Sequence, residues 1–185
     1  MSKNKNLTIQ ETFSLAVKNH QEGKIDIAQE LYNHVLKIDP SHSQSLGNIA
    51  VIFSNLKEHQ KAKECYEKII EINPNYVKAH YNLGVVFKEL GELEKAKECY
   101  EKTIEIDPNY ANTHHNLGTI FQELGENQKA KECYEKAIEI DPLNKKYMVA
   151  YGYVLLILND KLKGYEYIDK VEGVIKFTPM YYKII

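Results

Sequence analysis

A fixed period of 34 residues constrains this chain more than any other feature of its sequence. Segments 77–110 and 111–144 share 22 of their 34 residues. The octapeptide KAKECYEK occurs three times with the same period, at 61–68, 95–102 and 129–136. An Asn-Pro or Asp-Pro dipeptide also recurs in register, at 39–40, 73–74, 107–108 and 141–142. A period of this length indicates one supersecondary unit that is stacked several times.

Each period predicts two helices. His80, Leu83 and Phe87 recur at helical spacing in the first half of one period, and Ala96 and Tyr100 do so in the second half. A glycine separates the two stretches, and the Asp-Pro dipeptide closes the second, as expected for a tight turn and a helix end. We therefore expect each period to form two short antiparallel helices.

This pattern resembles the tetratricopeptide repeat family. That family places Leu-Gly, an aromatic residue, Ala, a second aromatic residue and Pro at fixed positions. The same order is found here at Leu83, Gly84, Phe87, Ala96, Tyr100 and Pro108, and again at Leu117, Gly118, Phe121, Ala130, Tyr134 and Pro142. The resemblance implies an all-α solenoid, a right-handed superhelix of tandem helix-turn-helix units. It covers four repeats, at 9–42, 43–76, 77–110 and 111–144.

The two ends of the chain depart from the pattern. Residues 1–8 and 178–185 are expected to be tails, and 145–177 an eroded fifth repeat that caps the array. The first helix of this fifth unit, KYMVAYGYVLLIL, is apolar nearly all round, which predicts burial on more than one side. A terminal repeat usually shows a polar outer face. We therefore expect either the following sequence, KVEGVIKFTPMYYKII, or another chain to cover this unit.

Charge and hydropathy exclude several functions. With 24 basic and 26 acidic residues the net charge is −2, so nucleic acid is not an expected partner. The N-terminus lacks the apolar stretch of a secretory signal. The most apolar run, VAYGYVLLIL, is far shorter than the roughly 20 residues that a membrane-spanning helix needs. The expected location is the cytoplasm.

Nothing in the sequence predicts catalysis, a cofactor or a metal site, because no known catalytic or phosphate-binding motif is present. Cys65, Cys99 and Cys133 occupy one equivalent position in successive repeats. Packed helices lie about 8–10 Å apart, which is too far for a disulfide. We interpret these residues as half-buried thiols in a reducing compartment. His114 is interpreted as a packed imidazole.

A recurrent asparagine is the strongest indication of function. Asn48, Asn82 and Asn116 lie at one position of the predicted first helices, although Asn is a poor helix former. A side-chain amide offers a donor and an acceptor, which matches a peptide main chain. The series is similar to the asparagine ladder in the tetratricopeptide region of O-GlcNAc transferase. Bonding within the scaffold is the open alternative.

These observations favour a non-enzymatic adaptor that binds an extended peptide or a helix of a partner in a concave groove. Lys78, Tyr81 and His115 are expected to set its preference. Family members that clamp acidic chaperone tails carry Lys and Asn where this chain has Phe13 and Val17, which disfavours that ligand.

Two further hypotheses belong to other classes. The chain could be an assembly module that forms homo-oligomers through the apolar fifth unit, with the residues Tyr147, Tyr151, Tyr153, Leu156 and Ile157. It could also be the targeting arm of a larger transferase-type enzyme.

Overall fold

The computed structural model describes residues 7–172, which form ten α-helices and no strand. None of the helices in this range is long and apolar enough to cross a membrane. The helices are α1 (Ile9–Gln21), α2 (Ile25–Ile38), α3 (Ser43–Asn55), α4 (His59–Ile72), α5 (Val77–Glu89), α6 (Leu93–Ile106), α7 (Ala111–Glu123), α8 (Asn127–Ile140), α9 (Lys145–Ile157) and α10 (Lys161–Glu172).

The helices fall into two compact units that divide inside α6, between Cys99 and Tyr100. In the first unit α1 packs on α2, α2 on α3, α3 on α4 and α4 on α5. In the second unit α7 packs on α8, α8 on α9 and α9 on α10. These helices contact their neighbours in sequence within each unit, which is the all-α solenoid architecture that the period predicts.

The turn inside each hairpin uses a left-handed residue at one position of the period. Gly23, Gly91 and Gly125 have φ of 75°, 76° and 78°. Lys57 and Asn159 take the same position with φ of 60° and 67°. This conformation lets the backbone N–H of Glu92 reach the carbonyl of Phe87 at 2.9 Å, which closes the end of the helix. Glycine adopts it without steric cost, whereas a lysine does not.

Replacing Lys57 by glycine is therefore expected to stabilise the first unit by about 0.5–1 kcal/mol, because the left-handed strain of a Cβ is removed. The midpoint of urea denaturation would measure the effect. The matched control is Asn159→Gly, for which we expect a smaller gain because Asn tolerates this conformation better than Lys. A loss of stability in Lys57→Gly would contradict this account of the turn.

The core repeats one arrangement of a small residue and a tyrosine. One position of the second helices holds a fully buried alanine, at Ala28, Ala62, Ala96 and Ala130. Four residues later stands a buried tyrosine, at Tyr32, Tyr66, Tyr100 and Tyr134. At Gly118 the reason is visible, because an added Cβ would lie 2.7 Å from the ring of Tyr134. The small residue lets the first helix approach the tyrosine ring.

Two histidines replace the aromatic residue that leads the family signature. The Nε2 atoms of His80 and His114 lie 2.8 Å from the carbonyl oxygens of Pro74 and Pro108. Both rings are buried. Each ring ties the start of a first helix to the turn before it, which confirms the interpretation of His114 as a packed imidazole.

The repeated octapeptide KAKECYEK has a structural role as well. Its first lysine, Lys95 in one copy, forms an ion pair with Glu92 at 2.5 Å and lies 5.5 Å from the ring centre of Phe87. Lys61 and Lys129 make the same two contacts with their own repeats. An exposed ion pair contributes little by itself, but here its lysine also lies over the ring of a phenylalanine.

Candidate functional site

The first unit contains an open cavity of about 340 Å³ between four helices. Its walls come from α1, α3, α4 and α5, with Tyr76 at the turn before α5. This volume lies in the range of ligand sites in proteins. The twelve residues that line it are Phe13, Ser43, Gln44, Gly47, Asn48, Val51, Tyr66, Ile69, Tyr76, Lys78, Ala79 and Asn82.

The lining combines neutral amides with apolar surface and one charge. Asn48 and Asn82 contribute their amides from α3 and α5, and both side chains are half-buried. Of the lining residues, Lys78 alone is charged, and it is exposed. Such a surface suits an uncharged, hydrogen-bonding ligand better than a strongly acidic or basic one.

Each of these asparagines is paired with the buried tyrosine 16 positions before it. Burial raises the pKa of Tyr66 to about 12, and hydrogen bonds with Ser54 and Asn82 partly offset that rise. Burial likewise raises the pKa of Tyr32, with an opposing hydrogen bond from Asn48. A bond that lowers the pKa of a phenol is donated to its oxygen, so the amide N–H is the donor.

The second unit repeats this pair. The Nδ2 atom of Asn116 donates to the hydroxyl of Tyr100 at a distance of 3.5 Å. In all three repeats the asparagine therefore bonds to a side chain of the protein itself, which was the alternative to ligand binding. It does not exclude a ligand at Asn48 and Asn82, because an amide has two N–H donors and a carbonyl oxygen, and the tyrosine uses one donor. The bond to tyrosine fixes the amide in the cavity wall.

The other predicted contact residues are placed differently. Lys78 lines the cavity, whereas Tyr81 is half-buried and is not part of the lining. His115 is only 5% exposed, and its ring centre lies 5.4 Å from that of Tyr134 and 5.2 Å from that of Tyr147. The expectation that His115 lies on a ligand-binding face is thus not met, because α9 covers its ring.

The fifth unit also buries part of its predicted association surface. Tyr147 and Tyr151 are 2% and 1% exposed. The Tyr147 hydroxyl donates to Asn112 Oδ1 at 2.8 Å, and the Tyr151 hydroxyl donates to Glu135. Leu156 is half-buried, whereas Tyr153 and Ile157 are 50% and 57% exposed. Of the five predicted association residues, only Tyr153 and Ile157 are exposed.

The three cysteines are half-buried thiols. Burial raises the pKa of the Cys65 thiol to about 11 and those of Cys99 and Cys133 to about 12. Neighbouring glutamates add to each shift. Thiols of this kind are protonated at neutral pH and are poor nucleophiles and metal ligands. Within residues 7–172, no group of three His, Cys, Asp or Glu residues is arranged to hold a metal ion.

Sequence reasoning missed two aromatic walls of the cavity. Phe13 packs against His42 with ring centres 4.9 Å apart, and Tyr76 lies just before α5. A signal for Tyr76 was available, since Tyr110 stands one period later, at the same place before α7. For Phe13 there was no such signal, because the equivalent position carries Gly47 in the next repeat.

Comparisons with known proteins agree with this architecture. Tetratricopeptide repeat profiles match residues 43–76 and 79–142, which together make up more than half of the chain. The chain belongs to the tetratricopeptide repeat family. No curated protein sequence matches it significantly.

Solved structures show the same fold. A crystal structure of MamA is 25% identical and has a TM-score of 0.79, with 85% of this chain and 92% of that chain covered. MamA from Desulfovibrio magneticus RS-1, residues 41 to the end, is 20% identical with a TM-score of 0.82 over 90% and 94% of the two chains. YrrB, a tetratricopeptide repeat protein with an unusual peptide-binding site, is 16% identical with a TM-score of 0.75 over 90% and 88%.

Proposed function

We propose that this protein is a non-enzymatic adaptor that holds an extended peptide segment of a partner protein in the cavity of its first unit. The family to which it belongs is one of protein-interaction scaffolds. The observation that carries the proposal is the pair of half-buried amides, Asn48 and Asn82, in the wall of one cavity. Each also bonds to its tyrosine, which reduces the side-chain entropy to be lost on binding.

The chemistry of the cavity favours a main chain over a charged side chain as the ligand group. Peptide groups present alternating N–H and C=O groups, and an amide can pair with both. Lys78 can add one contact to a carboxylate or a carbonyl oxygen. Phe13 and Val17 are apolar, partly buried side chains that pack against the core of the first unit, so neither can pair with an acidic chaperone tail.

The apolar part of the lining sets which side chains the peptide carries. Phe13, Val51 and Tyr76 face the same cavity as the amides. A peptide with one small or aliphatic residue between main-chain contacts fits this surface, because burying it removes apolar area from water. The known peptide-binding site of YrrB makes such a use of this fold physically reasonable.

The three half-buried thiols fit a reducing compartment. We propose the cytoplasm on that ground. Tyr81 in the first unit and Asn116 in the second stay candidate ligand contacts, and each would be tested by its own substitution.

The test is a peptide-library selection on the whole chain, followed by titration of an enriched peptide. We expect the double variant Asn48→Ala/Asn82→Ala to bind that peptide about 5- to 150-fold more weakly, since two hydrogen bonds are worth roughly 1–3 kcal/mol. The matched control is Asn33→Ala, an exposed asparagine on α2, which should leave affinity unchanged. Thermal unfolding by circular dichroism shows whether the double variant is still folded.

A second titration separates main-chain recognition from side-chain recognition. Peptides in which one amide is replaced by an ester lose an N–H donor without changing a side chain. We expect such replacements to weaken binding to the wild-type protein and to have a smaller effect on the double variant. Unchanged affinity of the double variant, in a folded state, would place the ligand elsewhere on the protein.

A further inference from the structure

His42 supports the wall of the cavity in the first unit. It is the N-cap of α3, and its Nδ1 atom accepts a hydrogen bond from the backbone N–H of Ser45 at 3.2 Å. The ring centre of His42 also lies 4.9 Å from that of Phe13, which lines the cavity. His42 therefore holds two parts of the wall in place, the ring of Phe13 and the first turn of α3, which contributes Ser43 and Gln44.

The N-cap position of the first helices carries a different kind of residue from repeat to repeat. It holds Thr8, His42, Tyr76, Tyr110 and Asn144, one period apart. The side chains of Thr8, His42 and Asn144 each accept a hydrogen bond from an N–H of the first turn. Threonine and asparagine do so at any pH near neutrality, whereas an imidazole nitrogen accepts only while it carries no proton. Of these three caps, His42 is the one whose charge changes between pH 5 and 8.

Protonation of His42 removes its cap. In the neutral ring the proton is on Nε2, because Nδ1 accepts from Ser45. In the cation Nδ1 carries a proton as well, so it faces the N–H of Ser45 as a second donor. That N–H is then left with the backbone carbonyl of His42, at 3.0 Å, as its acceptor. A positive charge is also unfavourable at the N-terminus of a helix, so the capped geometry requires the neutral ring.

The surroundings of His42 offer the protonated ring a different partner. The neighbour from α1, Phe13, is uncharged, and so is the neighbour from α3, Ser45. The turn before α3 contributes Asp39, whose pKa is lowered by hydrogen bonds from Ser41 and also by the attraction of His42. This carboxylate attracts the imidazolium toward the turn. We therefore expect protonation to turn the ring away from Ser45, which releases Phe13 and the first turn of α3.

We propose that His42 is a positioning residue that makes peptide binding in this cavity dependent on pH, with tight binding while the ring is neutral and weaker binding once it is protonated. The proposal rests on the peptide-binding function proposed above. A peptide that meets a released wall must order it again, so its apparent affinity falls with the fraction of protein in the capped state. The loss of one N-cap changes such a population about three- to tenfold.

Titration of a peptide into the whole chain at pH 7.5 and at pH 5.5 tests this proposal. The peptide comes from a library without Asp, Glu or His and is blocked at both ends, so its own charge does not change. We expect the wild type to bind it about three- to tenfold more weakly at the lower pH. His42→Asn should bind equally at both, because Asn caps a helix without titrating, as Asn144 does for α9. The matched control, His34→Asn on the exposed side of α2, should keep the wild-type pH dependence.

A second measurement needs no peptide. The nitrogen chemical shifts of the His42 ring, measured by NMR, show which nitrogen carries the proton, and we expect Nε2 at pH 7.5. The protection of the Ser45 amide against hydrogen exchange, corrected for its intrinsic rate, should fall about three- to tenfold at pH 5.5 in the wild type. It should not fall in His42→Asn.

The outcomes separate this proposal from the proposed function. Equal affinity of the wild type at the two pH values overturns the control by His42, and so does a pH dependence that His42→Asn retains. A proton on Nδ1 at pH 7.5 overturns it as well. If no peptide binds, or if Asn48→Ala/Asn82→Ala leaves affinity unchanged, the peptide site itself is wrong. The control of its affinity then fails with it, while the NMR result still shows whether His42 caps α3.

Discussion

Replacing Gly152 by alanine is expected to destabilise the second unit by about 1–3 kcal/mol. The reason is the closeness of α9 and α10. A Cβ at Gly152 would lie 2.7 Å from Ile168 Cγ1 and 2.9 Å from the carbonyl oxygen of Gly164. A side chain such as Ile168 could rotate away, but the carbonyl belongs to the backbone of α10. The two helices would have to separate, and buried contacts along both would loosen.

The same substitution at Gly47 is the matched control and should have the opposite sign. A Cβ there would meet only Ile69 Cδ1, at 3.8 Å, which is an ordinary van der Waals distance. Gly47 lies inside α3, where alanine is favoured over glycine by about 0.5–1 kcal/mol. Urea denaturation of the two variants, followed by circular dichroism, measures the difference. Destabilisation by both, to a similar extent, would show that the close approach at Gly152 is not the cause.

Most of the fold could be predicted from the sequence because the repeat imposes it locally. The left-handed residue at the hairpin turn returns with every period, and it is glycine in three of the five. The buried tyrosine and the small residue that faces its ring return in the first four periods. Gly118 shows how the last two depend on each other, since its missing side chain makes room for Tyr134. The left-handed conformation of Lys57 was less predictable. There the packing of both helices holds a residue in a backbone geometry that its own preferences oppose.

The candidate site was predicted less well because it depends on contacts between repeats. His115 looked accessible from its helix position alone, but Tyr147 of the next hairpin covers it. The two preceding repeats have Ala79 and Thr113 where α9 has Tyr147. The role of the asparagines was also left open by the sequence. Their bonds to tyrosines come from a neighbouring helix, so only the assembled structure shows that a scaffold bond and a position in the cavity wall occur together.

At pH 7.5 the three cysteines of the native protein are expected to react with iodoacetamide at least about 100-fold more slowly than in the unfolded chain. The thiolate is the reacting form. Burial raises the pKa of Cys65 to about 11 and those of Cys99 and Cys133 to about 12, and each pH unit of such a rise lowers the thiolate fraction about tenfold at neutral pH. Quenched alkylation with mass spectrometry, with and without urea, measures both rates.

The same shifts predict how stability depends on pH. Because folding raises the pKa of each thiol, the folded state favours the protonated form. The thiols' contribution to stability is therefore complete below their ordinary pKa and is lost as the pH rises through about 11–12. In a variant with Cys65, Cys99 and Cys133 all replaced by alanine, the urea midpoint should fall less steeply above pH 9 than in the wild type. Buried tyrosines also titrate in this pH range, but they are present in both proteins, so the difference in slope reports the thiols. Equal slopes, or native thiols that react as fast as unfolded ones, would mean that these side chains are open to water, contrary to their place in the packing of each repeat.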